Sequence, residues 1–187
     1  ELRARAMTGQ EIAVEDAQRA MASINAENGR IILVDSDPRH ADRIRGYLER
    51  TNHVDMLLDP SDAVLAVGGG NYELAIVSMP LRVCSQMRTV EQTRTLPIIL
   101  MAEDADRPRV VRGLDLGVND FIMRPVERNE LLARVRTQIR RQRFAAELRR
   151  SVSHTLALAV TDELTGLYNR RYFDRHLTLM LEKAREQ

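Results

Sequence analysis

The stretch YELAIVSMP, Tyr72 to Pro80, decides how this chain is read. Leu74, Ala75, Ile76 and Val77 form an unbroken apolar run, which suits a strand covered on both faces. Sheets built from such strands present their chemistry where the strands end. An acidic residue would make sense of that position, but the run ends in Ser78, Met79 and Pro80.

The same kind of run recurs on either side. RIILVDS (30–36), HVDMLLD (53–59), LPIILMA (96–102) and the shorter NDFIM (119–123) read as four further strands. Helical patterns fill the intervals. Pro38 to about Thr51 places Ile44 and Leu48 on one face, with Arg39, Arg43 and Arg45 around the rest. Pro60 opens a helix that Gly68, Gly69 and Gly70 stop. A short helix covers Val83–Gln92, and Arg107–Leu116 forms another, closed by Gly117. Strands alternating with helices at this spacing predict an α/β fold with a parallel sheet covered on both faces.

From Val126 to about Val160 there is neither Gly nor Pro, which predicts one long helix. Leu131, Val135 and Ile139 at i+4 spacing suit packing on the sheet. Leu148, Val152, Leu156 and Val160 repeat the spacing further out. That outer stripe needs a partner, either a second chain or a following domain. At the other end, ELRARAMTGQ opens the chain and ELLARVRTQI recurs at 130–139. The match reads Glu1–Thr8 as the tail of a preceding copy of the same domain. Residues 10–27 then form an amphipathic linker helix with Ile12, Ala17, Ala20 and Ile24 on one face.

Composition narrows the function classes. At 187 residues, 44% hydrophobic and 29% charged, the chain is globular rather than disordered. A net charge of +1 gives no global field for nucleic acid or an acidic membrane. No apolar run is long enough to span a bilayer. The single cysteine, Cys84, cannot build a disulfide framework and reads as a packed residue, in keeping with a cytoplasmic protein. His40, His53, His154 and His176 have no ligand spacing. Arg140, Arg141, Arg143, Arg149 and Arg150 read as a solvated helix face, since there is little aromatic interleaving and no helix–turn–helix pattern follows.

The strand ends supply the specific signal. RIILVDSDP, YELAIVS, LPIILMAE and GVNDFIMRPVERNELLARV together resemble a response-regulator receiver domain, over about Arg30 to Arg143. The resemblance implies a flavodoxin-like sheet of five parallel strands in order 2-1-3-4-5. It also implies a reaction: an aspartate on the third strand takes a phosphoryl group. Mg²⁺ held by acids after the first strand assists, with a hydroxyl on the fourth strand and a lysine on the fifth gripping the phosphoryl oxygens. This chain departs at each place. Ser78 stands for the nucleophile, Ser36 for the second acid, Ala102 for the hydroxyl and Arg124 for the lysine. Asp35 and Asp37 alone remain as weak metal candidates. The expected pocket is therefore degenerate, with Arg124 pairing with Asp35, which itself caps the strand–helix turn. The interval after Ser78 lacks the glycine-bearing turn usual in receivers, which implies a shortened helix or a missing piece.

A second resemblance lies at the far end. TDELTGLYNRR contains Asp162, Leu164, Thr165, Gly166, Leu167, Asn169, Arg170 and Arg171 in the pattern that opens a GGDEF diguanylate cyclase domain. Gly166 turns the chain, Asn169 caps the next helix, and the two arginines bridge back to Asp162. The implied layout is that of the PleD-type cyclases. It comprises the tail of one receiver (1–8), a helical linker (9–28), a degenerate receiver (29–143), a signalling helix (144–161) and the start of a cyclase domain (162–187). The resemblance implies a non-catalytic adaptor that forms a homodimer through its receiver faces and long helix. An upstream histidine kinase acts on the preceding receiver. Mg²⁺ and GTP belong to the parent cyclase, which makes cyclic di-GMP, and no cofactor belongs to this part. The alternatives are a receiver using an unconventional aspartate such as Asp37, and a truncated DNA-binding response regulator.

Overall fold

The computed structural model describes residues 14–78, 81–160, 165, 167–170, 172–174, 176–177 and 180, without the side chains of 154–160. These fall into two compact units, 1–144 and 145–187. The expected receiver tail at Glu1–Thr8 lies outside the described residues.

The first unit carries the sheet. Its elements are β1 (Arg30–Val34), α1 (Pro38–Leu48), β2 (His53–Leu57), α2 (Ala63–Gly69), β3 (Leu74–Ser78), α3 (Arg82–Thr89), β4 (Ile98–Ala102), α4 (Arg107–Asp115), β5 (Asp120–Met123) and α5 (Arg128–Val160). The strands lie in the order β2-β1-β3-β4-β5, and every pair is parallel. This is the flavodoxin-like order. Because strand side chains alternate, one sheet makes two cores. Ile31, Leu33, Leu74, Ile76, Ile99 and Met101 face Ile44 and Leu48 of α1 and Leu131, Val135 and Ile139 of α5. Ile32, Val34, Ala75, Val77, Ile98 and Leu100 face Val67, Met87 and Val110 of α2, α3 and α4.

Most differences from the sequence reading are at element ends, and each has a local cause. β4 starts at Ile98 rather than Leu96, because Pro97 offers a carbonyl to Ala75 but no N–H. α1 stops at Leu48, where the Leu48 carbonyl accepts from both Thr51 and Asn52 and turns the chain. Pro60 opens a 3₁₀ turn, Pro60–Asp62, and α2 follows it; Gly68 and Gly69 sit inside that helix, with Gly70 as its cap. α3 is short, Arg82–Thr89. Gly117 closes α4 at φ +88°, a conformation that favours glycine. Arg88 of α3 reaches the Gly117 carbonyl and those of Thr93, Arg94 and Leu96, fastening the loops around β4.

The helix before β1 covers 14–23 among the described residues. Of its expected apolar face, Ala17 and Ala20 are exposed and Ile24, just past the helix, is half-buried; the segment also buries Ala26. Ile12 lies outside the described residues. On α5, Leu148 and Val152 are exposed, while the side chains of Leu156 and Val160 lie outside the description. The reading of the arginine run as a solvated face is corrected for Arg140 and Arg143, which are half-buried and donate to backbone carbonyls of the segment before β1, while Arg141, Arg149 and Arg150 are exposed.

Candidate functional site

The carboxyl ends of β1, β3, β4 and β5 meet at a cleft of about 260 Å³. Asp35, Ser36, Asp37, Ser78, Ala102 and Arg124 all line it, together with Met101, Glu103 and Asp106. The parallel register sets this convergence: Val34 lies beside Val77 and Ser78 beside Met101, so the residues after each strand open on one side.

Asp35 lies at the centre and is 2% exposed. One carboxylate oxygen, Oδ1, accepts from the Asp37 backbone N–H at 3.1 Å. The other, Oδ2, meets Arg124 Nη2 at 3.0 Å and is in close contact with His40 Nδ1. Burial pushes the Asp35 carboxyl up, but hydrogen bonds from His40, the Asp37 backbone and Ser78 and the charge of Arg124 together hold it below the usual value of 3.8. Asp35 is therefore an anion already supplied with its donors. Through the Asp37 N–H, Asp35 caps the strand–helix turn, and the helix cap itself is Asp37, whose side chain accepts from the backbone N–H groups of Arg39 and His40 at the start of α1.

Arg124 closes the arrangement. Its Nη2 donates to Ser78 Oγ at 2.8 Å as well as to Asp35, and its Nη1 lies 3.6 Å from Glu103 Oε1. Nη2 is also 3.0 Å from His40 Nδ1. With Nδ1 donating to Asp35, that approach is a proximity of two donors rather than a hydrogen bond. Among the described residues, neither His40 Nε2 nor Arg124 Nε meets a partner. Asp35, His40 and Ser78 thus do not form a nucleophilic triad. The histidine presents its carboxylate-facing nitrogen to the site, and its other nitrogen meets no hydroxyl.

His40 was missed by the sequence reading, which saw only a scattered histidine. It is 7% exposed and stands four residues before Ile44 and eight before Leu48. The spacing that turned those two inward applies to it as well. The first-turn position after the Asp37 cap then aims it at the end of β1.

A receiver fold implies Mg²⁺ at this place, and the donor set does not fit it. Both oxygens of Asp35 are engaged, and the guanidinium 3.0 Å away supplies the positive charge a divalent ion would bring. Among the described residues no cluster of three His, Cys, Asp or Glu side chains could hold a metal.

The second predicted constellation is only partly described. Asp162, Leu164, Gly166 and Arg171 lie outside the described residues. Asn169 Oδ1 accepts from the Tyr172 N–H at 3.0 Å, which is a helix cap. Arg170 lies 3.7 Å from Asp174, one turn along. Leu167 N lies 3.5 Å from Thr165 Oγ1.

Comparison with known proteins follows this geometry. A model of the response regulator receiver domain matches residues 31–136. The chain is 38% identical over 190 residues to the response regulator PleD of Caulobacter vibrioides, a match covering 98% of this chain and 41% of that protein. The chain therefore spans less than half the length of that relative. It is 32% identical over 120 residues to the response regulator ArlR of Staphylococcus saprophyticus, over 60% of this chain and 53% of the relative. Among solved structures, full-length FixJ from B. japonicum superposes with a TM-score of 0.60 at 23% identity, over 73% of this chain and 70% of that one. Among the described residues no helix is long and apolar enough to cross a membrane.

Proposed function

Since the chain belongs to the response-regulator receiver family, we propose that it works as a non-phosphorylatable adaptor in a regulator of the PleD kind. The observation that carries this reading is Arg124, lodged on Asp35 and Ser78 in the cleft where the family's chemistry is placed. A phosphoryl group arriving there meets no carboxylate at the end of β3. The Ser78 hydroxyl accepts from a guanidinium, and the nearest imidazole nitrogen is held by Asp35. Among the described residues the Ser78 hydroxyl meets only the Asp35 carboxylate as a base, and a carboxylate held below its usual value is a weak base for a serine hydroxyl. Asp37 is a poor substitute nucleophile, because its carboxylate caps α1.

What remains is a rigid α/β body with a long helix. In this reading it holds two copies together in the cytoplasm, by its receiver faces and by the α5 stripe that includes Leu148 and Val152. A histidine kinase acts on a preceding receiver. The output is cyclic di-GMP, made from two GTP with Mg²⁺ by cyclase domains whose entrance is the TDELTGLYNRR string. Tethering two GTP-loaded sites in one dimer makes their encounter nearly intramolecular. Similarity to PleD along 98% of the chain supports this output.

GTP turnover by the whole parent protein with Mg²⁺, with cyclic di-GMP as the readout, tests the proposal. Product should form, and Leu148→Lys with Val152→Lys should shift the protein toward monomer and slow it. A folded dimer that makes no product, with its first receiver activated, would remove the cyclase output.

A further inference from the structure

The end of the sheet opposite the cleft is also built around an arginine. Arg143 of α5 grips Glu73 with two parallel bonds, Nε to Oε1 at 2.7 Å and Nη2 to Oε2 at 2.8 Å. Its remaining Nη1 donates to the carbonyls of Asn25 at 2.7 Å and Glu27 at 3.1 Å. One turn earlier, Arg140 donates to the Ile24 carbonyl at 3.1 Å. Three carbonyls of the entering segment, those of residues 24, 25 and 27, are thus bonded to one helix.

The other side of that segment is fixed too. Asn28 sits at φ 56° and donates to Thr51 O at 2.7 Å, and Gly29 N donates to Asn52 Oδ1 at 3.2 Å. A side chain at Gly29 would place its Cβ 2.6 Å from Ile139 Cδ1, so α5 presses directly on this backbone. Arg30 N completes the set by donating to Glu73 Oε2 at 3.3 Å. The bonds to the carbonyls of residues 24, 25 and 27 leave no slack between the helix at 14–23 and β1.

We propose that residues 24–30 and α5 form one rigid joint, pinned by Arg143, that passes a rotation of the entering chain to α5 without involving the Asp35 cleft. The joint deepens the adaptor reading by naming the route of transmission and rests on that reading only for its purpose. A two-arrangement cleft is not required, since the coupling runs through fixed backbone bonds at the far end of the sheet.

The test is a distance measurement on the full chain carrying nitroxide labels at Arg19→Cys and Arg141→Cys. Native Cys84 is buried, with its thiol pushed to about 11, so it stays unlabelled. The parent joint should give one narrow distance distribution. Arg143→Gln should broaden it and speed hydrogen exchange at the Asn28 and Gly29 amides by about tenfold or more, with Ile32 and Leu33 still protected. Should Arg143→Gln fail to fold, Arg140→Gln removes one carbonyl bond and should broaden the distribution less. A distribution and exchange rates unchanged in the folded variant would overturn the joint. Absence of cyclic di-GMP from the unsubstituted parent protein would remove the cyclase output of the proposed function instead and leave these distances as they are.

Discussion

The two ends of the sheet each hold a buried-side arginine against a carboxylate, and they use the pair differently. At the carboxyl end Arg124 meets Asp35, His40 and Ser78, all within the cleft, and closes it on itself. At the amino end Arg143 meets Glu73 and the carbonyls of Asn25 and Glu27, so it ties together three pieces of chain distant in sequence. At the first place the strand ends present Ser78, Ala102 and Arg124 to the cleft. At the second the fold supplies a connection. Here the charge pairs hold structure at both ends.

Cutting the first pair should produce the largest effect. Arg124→Met removes the guanidinium from beside the buried Asp35, and should cost about 3 kcal/mol. That is the low end for breaking a buried pair, because Arg124 keeps 24% exposure. Asp35→Asn combined with Arg124→Met should recover most of that loss, since the stranded charge is gone. A urea-denaturation double-mutant cycle measures it, and additive effects would mean the two side chains are not coupled. At the other end, Gly29→Ala drives a methyl into Ile139, which is fully buried and has little room to yield. The cost should be about 1–2 kcal/mol, and no loss would mean that α5 does not press on that backbone.

The smallest effect comes from acid. The Asp35 carboxyl is depressed in the folded state, so its contribution is present above the ordinary 3.8 and is lost as pH falls through the folded value. Glu73 behaves in the same sense below 4.5, chiefly because Arg143 hydrogen-bonds its charged form. Urea midpoints should therefore owe no pH dependence to these two groups between about pH 7 and 5, then fall in more acid solution. Asp35→Asn with Arg124→Met should flatten the cleft's share of that fall and leave the share of Glu73. An unchanged slope in the double variant would assign the acid sensitivity elsewhere.

β1, β3 and β4 were legible because each is a short run buried on both faces, whereas β2 and β5 lie at the sheet edges and are only partly buried; the alternation of strand and helix fixed the parallel sheet. Their ends were less legible, because hydrogen bonding rather than hydrophobicity sets them. Leu96 is apolar and buried, yet the strand begins after Pro97, which cannot donate. Six of the nine cleft residues could be named from strand ends alone, since register brings strand ends together. His40 could not be found in that way, for it comes from a helix. Only its place on the Ile44–Leu48 stripe marks it as inward-facing. Arg140 and Arg143 were hidden by composition: a run of arginines looks solvated until a neighbouring backbone is known to lie beneath it.

The central claim is that the cleft is closed to phosphoryl transfer. It is tested most directly by incubating the chain with radiolabelled acetyl phosphate and Mg²⁺, then treating it with hydroxylamine, which releases acyl phosphates. The account predicts no hydroxylamine-labile label on the folded chain. Stable stoichiometric label that hydroxylamine removes, and that Asp37→Asn abolishes, would contradict it and make this domain a working phosphoacceptor.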